Sequence, residues 1–190
     1  VMKNHYHHGN LKKDLLETSI HIISEKGYDK LSLRNISSKC GVSHNAIYRH
    51  FADKNQLIYE CQKYVTEEFT LYLKSKEAEK KRNALENIRT LSYAYINFYI
   101  EHPTYYSFMY RNTYIKIEFT MEKKEENYPP YNVFREQYGR LAEEIGISFE
   151  ESLTRLTRLW ALLHGLTAFL ISDNVQWNNE WQLCLEKEFN

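Results

Sequence analysis

Apolar residues recur at spacings of three and four along most of this chain, and nowhere do they alternate for long enough to make a useful strand. With no internal repeat either, that spacing restricts the fold to an all-α class built of discrete helices. Leu11, Leu15, Ser19, Ile22 and Ile23 set a first helix over about 10–26, and Gly27 stands where a left-handed cap would end it. Ser32 is placed to cap a short helix through about Lys39, and Gly41 stops that helix. Ser43 is placed to cap a third, over about 44–50, which sends Ala46, Ile47 and Phe51 inward. His44, Asn45, Tyr48, Arg49 and His50 are then left largely outside. Two short helices separated by Cys40-Gly41-Val42 make a helix-turn-helix. Asp53, with Gln56 three residues on, resembles a capping box for a fourth helix that begins at Lys54 and runs into 74–82.

Longer helices follow. One spans about 84–101 and ends at His102-Pro103, because proline disfavours helix in the residue before it. A shorter one reaches Tyr110, and the stretch 111–130, with its charged run from Glu122 to Glu126 and Tyr128-Pro129-Pro130, reads mostly as loop. Helix 131–145 ends at Gly146. Ser148 with Glu151 fits a capping box before an apolar run lasting to Ser172, and a last helix covers about 177–189. The apolar run, from Leu159, is too short for a membrane span and contains His164. Residues 1–10 lack the apolar core of a secretory signal, and Cys40, Cys61 and Cys184 are too scattered for a disulfide set, so a cytoplasmic protein is expected.

Charge balances at 25 basic against 25 acidic residues, yet unevenly along the chain. Residues 1–58 hold nine Lys and Arg against five Asp and Glu, a net of +4, and the rest carries −4. A polyanion would be drawn to the N-terminal segment, although +4 alone is also ordinary surface variation. No G-x-S-x-G elbow, P-loop, H-E-x-x-H or dinucleotide-binding glycine turn is present. An enzyme is therefore not expected, nor is a cofactor or a bound metal. Among non-enzymes, a ligand carrier or protein-interaction module remains the rival to a DNA-binding protein.

The segments His8-Gly9-Asn10-Leu11, Leu31-Ser32-Leu33-Arg34-Asn35-Ile36, Gly41-Val42-Ser43, Tyr48-Arg49-His50-Phe51 and Asp53-Lys54 resemble, in order and spacing, the DNA-binding head of the TetR/AcrR family of bacterial transcriptional regulators. Farther on, Trp160-Ala161-Leu162-Leu163-His164-Gly165 resembles the Trp/His/Gly signature of one class of C-terminal domain in that family. The resemblance implies two domains, a DNA-binding head over 1–54 and a helical regulatory domain over 55–190. It further implies a homodimer through the last two helices, an unknown small-molecule inducer and double-stranded operator DNA as partner.

In a helix-turn-helix, the first residues of the second helix meet base edges in the major groove. His44 and Asn45 hold those positions, and Asn pairs bidentately with adenine. Arg34 is a candidate for guanine or phosphate. Tyr48, His50 and Lys54 match family positions that touch phosphates, and Arg49 lies in the same motif. Asn45 is larger than the small residue the family often has there. Ser43 serves as a cap or as a phosphate contact, and Tyr48 equally suits packing on the first helix. His5, His7 and His8 read as a basic arm near the groove wall.

For the regulatory part, the rings dense between Tyr93 and Tyr138 offer apolar faces with polar ends, a combination suited to amphipathic or cationic small molecules. The candidate pocket residues are Tyr95, Phe98, Tyr99, Tyr106, Tyr110, Phe134, Tyr138, Trp160 and His164. An aromatic stripe at helical spacing also builds a core, and His164 suits either a ligand or a buried partner. Leu153, Leu156, Trp160, Leu163, Thr167 and Leu170 form one stripe, with Leu159, Leu162, Leu166 and Phe169 on another side. A helix apolar on two sides needs a second partner, and dimerisation supplies one.

Overall fold

A computed structural model of the chain describes residues 11–78, 83–111, 115–177 and 180–189. All regular structure among them is helical. Helices α1 (Leu11–Lys26), α2 (Leu33–Lys39) and α3 (His44–Ile47) come first, with a 3-10 turn at Tyr28–Lys30 after α1. Next are α4 (Lys54–Ala78), α5 (Ala84–Glu101), α6 (Pro103–Arg111), α7 (Pro129–Ile145), α8 (Phe149–Leu170) and α9 (Trp181–Glu186). Two compact units emerge, Val1–Val65 with Thr104–Thr113, and Thr66–Pro103 with Tyr114–Asn190. The first thus extends beyond residue 54 and takes in a later stretch of the chain.

In the first unit, α1 turns Leu15, Ile20, Ile22 and Ile23 inward, where Ile36 of α2, Ile47 of α3 and Phe51 are also buried. The turn between α2 and α3 closes when Val42 N–H bonds the Ser37 carbonyl at 2.9 Å and Gly41 takes a φ of 67°. Ser32 caps α2, its hydroxyl accepting from Asn35 N–H at 3.1 Å. The box at α4 forms with a variation: Asp53 accepts from Gln56 N–H at 2.8 Å, and Gln56 reaches back to Ala52 N–H at 2.5 Å instead of to the cap residue.

Three local expectations change. Gly27 has the positive φ of 82° that glycine favours, but a ψ of 166° takes the chain onward in an extended direction and does not form a left-handed cap. The α-helix of α3 ends at Ile47. Arg49 and His50 bond carbonyls three residues back, at 3.3 and 3.0 Å, so the final turn tightens before Phe51 plunges into the core. Ser43 sits at the cap position of α3, yet its side chain makes no cap hydrogen bond.

The second unit packs α5, α7 and α8 against one another. Asn83 and Ser148 cap α5 and α8 with their side chains, accepting from Glu86 and Glu151 N–H at 2.8 and 3.1 Å. Helix α7 starts at Pro129, two residues earlier than its spacing suggests, since proline at the first position gives up only an N–H the helix does not use. Gly146 ends it in the left-handed region, φ 72° and ψ 33°. The six residues of α9 are fewer than expected, and the histidines at 5, 7 and 8 lie outside the described residues.

Candidate nucleic-acid interface

Helix α3 is held by one deeply buried side chain, Ile47, and shows nearly everything else to solvent. Ser43, His44, Asn45, Tyr48 and Arg49 are exposed, as is Arg34 on the first turn of α2. Burying Ile47 fixes the helix at a cost in apolar surface of one residue, which leaves a polar face free for a partner. His44 and Tyr48, one turn apart, meet edge to face with ring centroids 5.1 Å apart. Tyr48 is 48% exposed, so it stands beside His44 and does not pack into the core.

The other two predicted residues are more constrained. His50 is half-buried, its ring 6.1 Å from that of Phe51. Lys54, also half-buried, donates to the Tyr28 carbonyl at 2.8 Å, and its ammonium lies 3.7 Å from the centre of the Tyr28 ring. The Tyr28 hydroxyl donates in turn to Asn55 at 3.2 Å. Lys54 thus pins the turn after α1 to the start of α4, a role the sequence pattern did not disclose.

A second tie in this unit was also missed. Glu17 on α1 accepts from Tyr64 on α4 at 2.7 Å and from Tyr105 on α6 at 2.6 Å. Burial of the hydroxyls, with the carboxylate beside them, raises both tyrosines above the ordinary phenol range. No local signal marks a contact across 88 residues of sequence. Burial likewise raises the thiol of Cys61, whose Sγ lies 3.7 Å from the Leu16 carbonyl.

The predicted pocket residues divide between the units. Tyr106 and Tyr110 are on α6 in the first unit, with ring centroids 4.7 Å apart. In the second unit Trp160 is ringed by Tyr95, Phe134, Tyr131 and Tyr128, all close to edge-on at 5.6, 5.6, 5.5 and 6.3 Å. Phe69 joins Tyr95, Phe98 and Tyr99 to that cluster, and Tyr138 is buried on α7. His164 Nδ1 lies 3.4 Å from the Tyr95 hydroxyl, and burial holds its imidazole below the usual range.

On α8 the inward side draws on both sequence stripes: Leu156, Leu159, Trp160, Leu163, Leu166 and Thr167 are buried. The side left uncovered carries Ala161 and Phe169, with Leu162, Gly165 and Ala168 half-covered. Phe169 is 52% exposed, and Leu183 on α9 is 56% exposed. A Cβ built on Gly165 meets no atom within 4 Å.

Residues 15–61 match the family model described as bacterial regulatory proteins, tetR family, and residues 88–188 match a Tetracyclin repressor-like C-terminal domain. The chain belongs to the TetR family. Two relatives from Bacillus subtilis (strain 168), both described as uncharacterized HTH-type transcriptional regulators, match short stretches of this TetR-family chain. YerO is 34% identical over 55 residues, 28% of this chain and 19% of its own length. YvdT is 43% identical over 44 residues, 23% of either chain. The matched stretches thus span about a fifth of these relatives. The whole fold is similar to that of a TetR family transcription regulator from Marinobacter aquaeolei VT8, with a TM-score of 0.69 at 14% identity over 94% of this chain and 91% of that one. The family matched over the head is one of bacterial regulatory proteins, and both relatives are described as transcriptional regulators. Among the described residues, no helix is long and apolar enough to cross a membrane.

Proposed function

We propose that this TetR-family chain is a ligand-responsive repressor, a homodimer that leaves its operator when a small molecule binds. The observation that carries the reading is the exposed face of α3, where His44 and Asn45 are presented above a single buried anchor, Ile47. Asn45 reads adenine and His44 an adjacent base edge, while Arg34 meets guanine or phosphate. Ser43, whose hydroxyl is not spent on capping, joins Tyr48, Arg49 and His50 at the phosphates, and Lys54 adds charge from the turn it pins.

The uncovered side of α8 supports dimerisation. Ala161, Gly165 and Ala168 are small enough for a second helix to approach closely, Phe169 on the same helix supplies apolar area, and Leu183 on α9 is exposed as well. Such a dimer holds two α3 helices about 34–36 Å apart, the spacing of successive major grooves. An inducer accommodated among Tyr95, Phe98, Tyr99, Phe134, Tyr138, Trp160 and His164 of the second unit releases the DNA if it binds the DNA-incompetent state more tightly.

The test is operator affinity with and without a compound selected from a metabolite panel by its effect on thermal stability. Release at saturation supports repression relieved by ligand. Unchanged affinity with every stabilising compound rejects it.

A further inference from the structure

We propose that a recess between α4 and the start of α7 binds a small oxyanion, a carboxylate or a phosphate, through Arg135 with Lys74 and Lys123. Arg135 lies on the stripe of α7 that also buries Tyr131, Tyr138 and Ala142, and only 8% of it is exposed. A guanidinium removed from water needs short, charge-assisted partners to offset its lost hydration. Those it has are long. Its Nε donates to Asn132 Oδ1 at 3.4 Å, its Nη1 to the Met121 carbonyl at 3.4 Å, and its Nη2 stands 3.6 Å from Glu136, whose side chain is largely in solvent. Charge-assisted N–H···O bonds run at about 2.7–2.9 Å, so the arginine fork is held in place without being well satisfied.

The recess beside it has a volume of about 210 Å³, and Lys74, Lys123, Thr70 and Asn132 line it, with Val133 as an apolar wall. Four cations face two carboxylates there, Glu125 and Glu136, and one of the four, Lys124, is already bound to Glu118. Lys74 and Lys123 are exposed, with their ammonium groups available to turn toward an anion. The wall is preorganised where Asn132 Nδ2 donates to the Lys124 carbonyl at 3.0 Å. Ligand pockets for drug-sized molecules run from about 300 Å³ upward, so this recess suits a phosphate ion or a short carboxylic acid. It shares no residue with the aromatic cluster around Trp160.

Calorimetric titration of the full chain tests the site, with inorganic phosphate in one arm and succinate in the other, at constant ionic strength set with chloride. The expected result is saturable binding in at least one arm, the tighter arm identifying the preferred group. Replacing both exposed lysines, in the double variant K74Q/K123Q, weakens it about tenfold or more, which corresponds to about 1.4 kcal/mol. Arg135→Lys, which keeps the charge and loses the fork, does the same. Absence of saturable binding of either probe in the millimolar range overturns the site, and so does binding that either variant leaves unchanged. A compound that releases operator DNA while neither probe binds would count against this site alone, whereas probe binding without any operator release would count only against the inducer reading.

Discussion

The ammonium of Lys54 rests 3.7 Å above the ring of Tyr28 while donating to that residue's carbonyl at 2.8 Å. One side chain therefore fastens the turn after α1 and, in the proposed interface, also supplies positive charge to DNA. Lys54→Met keeps the stem and removes both. A charged hydrogen bond and a partly exposed cation–π contact together are worth about 2–4 kcal/mol, the loss expected in urea denaturation. DNA affinity falls on every fragment tested, and the salt slope shrinks by about one. Tyr28→Leu separates the two roles, lowering stability with little change in that slope.

Asn45 behaves differently. Its side chain is exposed at the start of α3. Asn45→Ala leaves the urea midpoint unchanged and weakens binding to the preferred operator by about 1–3 kcal/mol, with a much smaller effect on unrelated DNA. A selection from randomised duplexes with both proteins should show relaxed preference at one base position in each half-site.

Glu17 accepts from two tyrosine hydroxyls, so removing one leaves the other. Tyr64→Phe and Tyr105→Phe each cost about 0.5–1.5 kcal/mol of stability. The double variant costs more than the sum of the two, because a half-buried carboxylate then loses both donors; the coupling falls within the range of about 0.5–3 kcal/mol found for residues sharing one network. A double-mutant cycle by urea denaturation reads this directly. Additive losses contradict it.

Much of the fold is legible in the sequence because its signals are local. The 3.6-residue spacing set α5 at 84–101 and α8 near 149–170, and Asp53 and Ser148 announce helices through their own side chains. The exposed face of α3 follows from the same spacing. What stayed hidden depends on partners distant in the chain. Tyr105 reaches Glu17 across 88 residues, and Lys54 reaches Tyr28 across 26, neither of which periodicity encodes. The split of the pocket candidates, with Tyr106 and Tyr110 on α6 in the first unit, is a matter of where the chain returns. Arg135 did carry a signal: it stands four residues after Tyr131 on an otherwise apolar stripe, where a charge has to be explained.

His164 is held below the ordinary imidazole range by burial. In the unfolded chain it titrates near the unperturbed value of about 6.5. As pH falls through that value the unfolded state takes up a proton that the folded state does not, so stability drops with acidification until the lowered folded value is reached. His164→Asn removes this contribution. The stability lost between neutral pH and about pH 5 should be smaller in the variant than in the parent, by thermal or urea denaturation at matched ionic strength.

Gly165 offers a clean probe of association. A Cβ added there has room, and glycine inside a helix is worse than alanine by about 1 kcal/mol. Gly165→Leu should therefore hold or raise the stability of the protomer while blocking close approach of a second α8. Sedimentation velocity is expected to show a dimer for the parent and a monomer for the variant.

The most direct measurement is fluorescence anisotropy of labelled duplex from upstream of the chain's own gene, titrated with the full protein at about 50 and 200 mM salt. Paired recognition helices predict saturable binding of two chains per site, with affinity falling by about a thousandfold or more between those conditions, as several phosphate contacts require. A chain that fails to saturate the duplex at the lower salt, or one whose affinity is the same at both, contradicts the account.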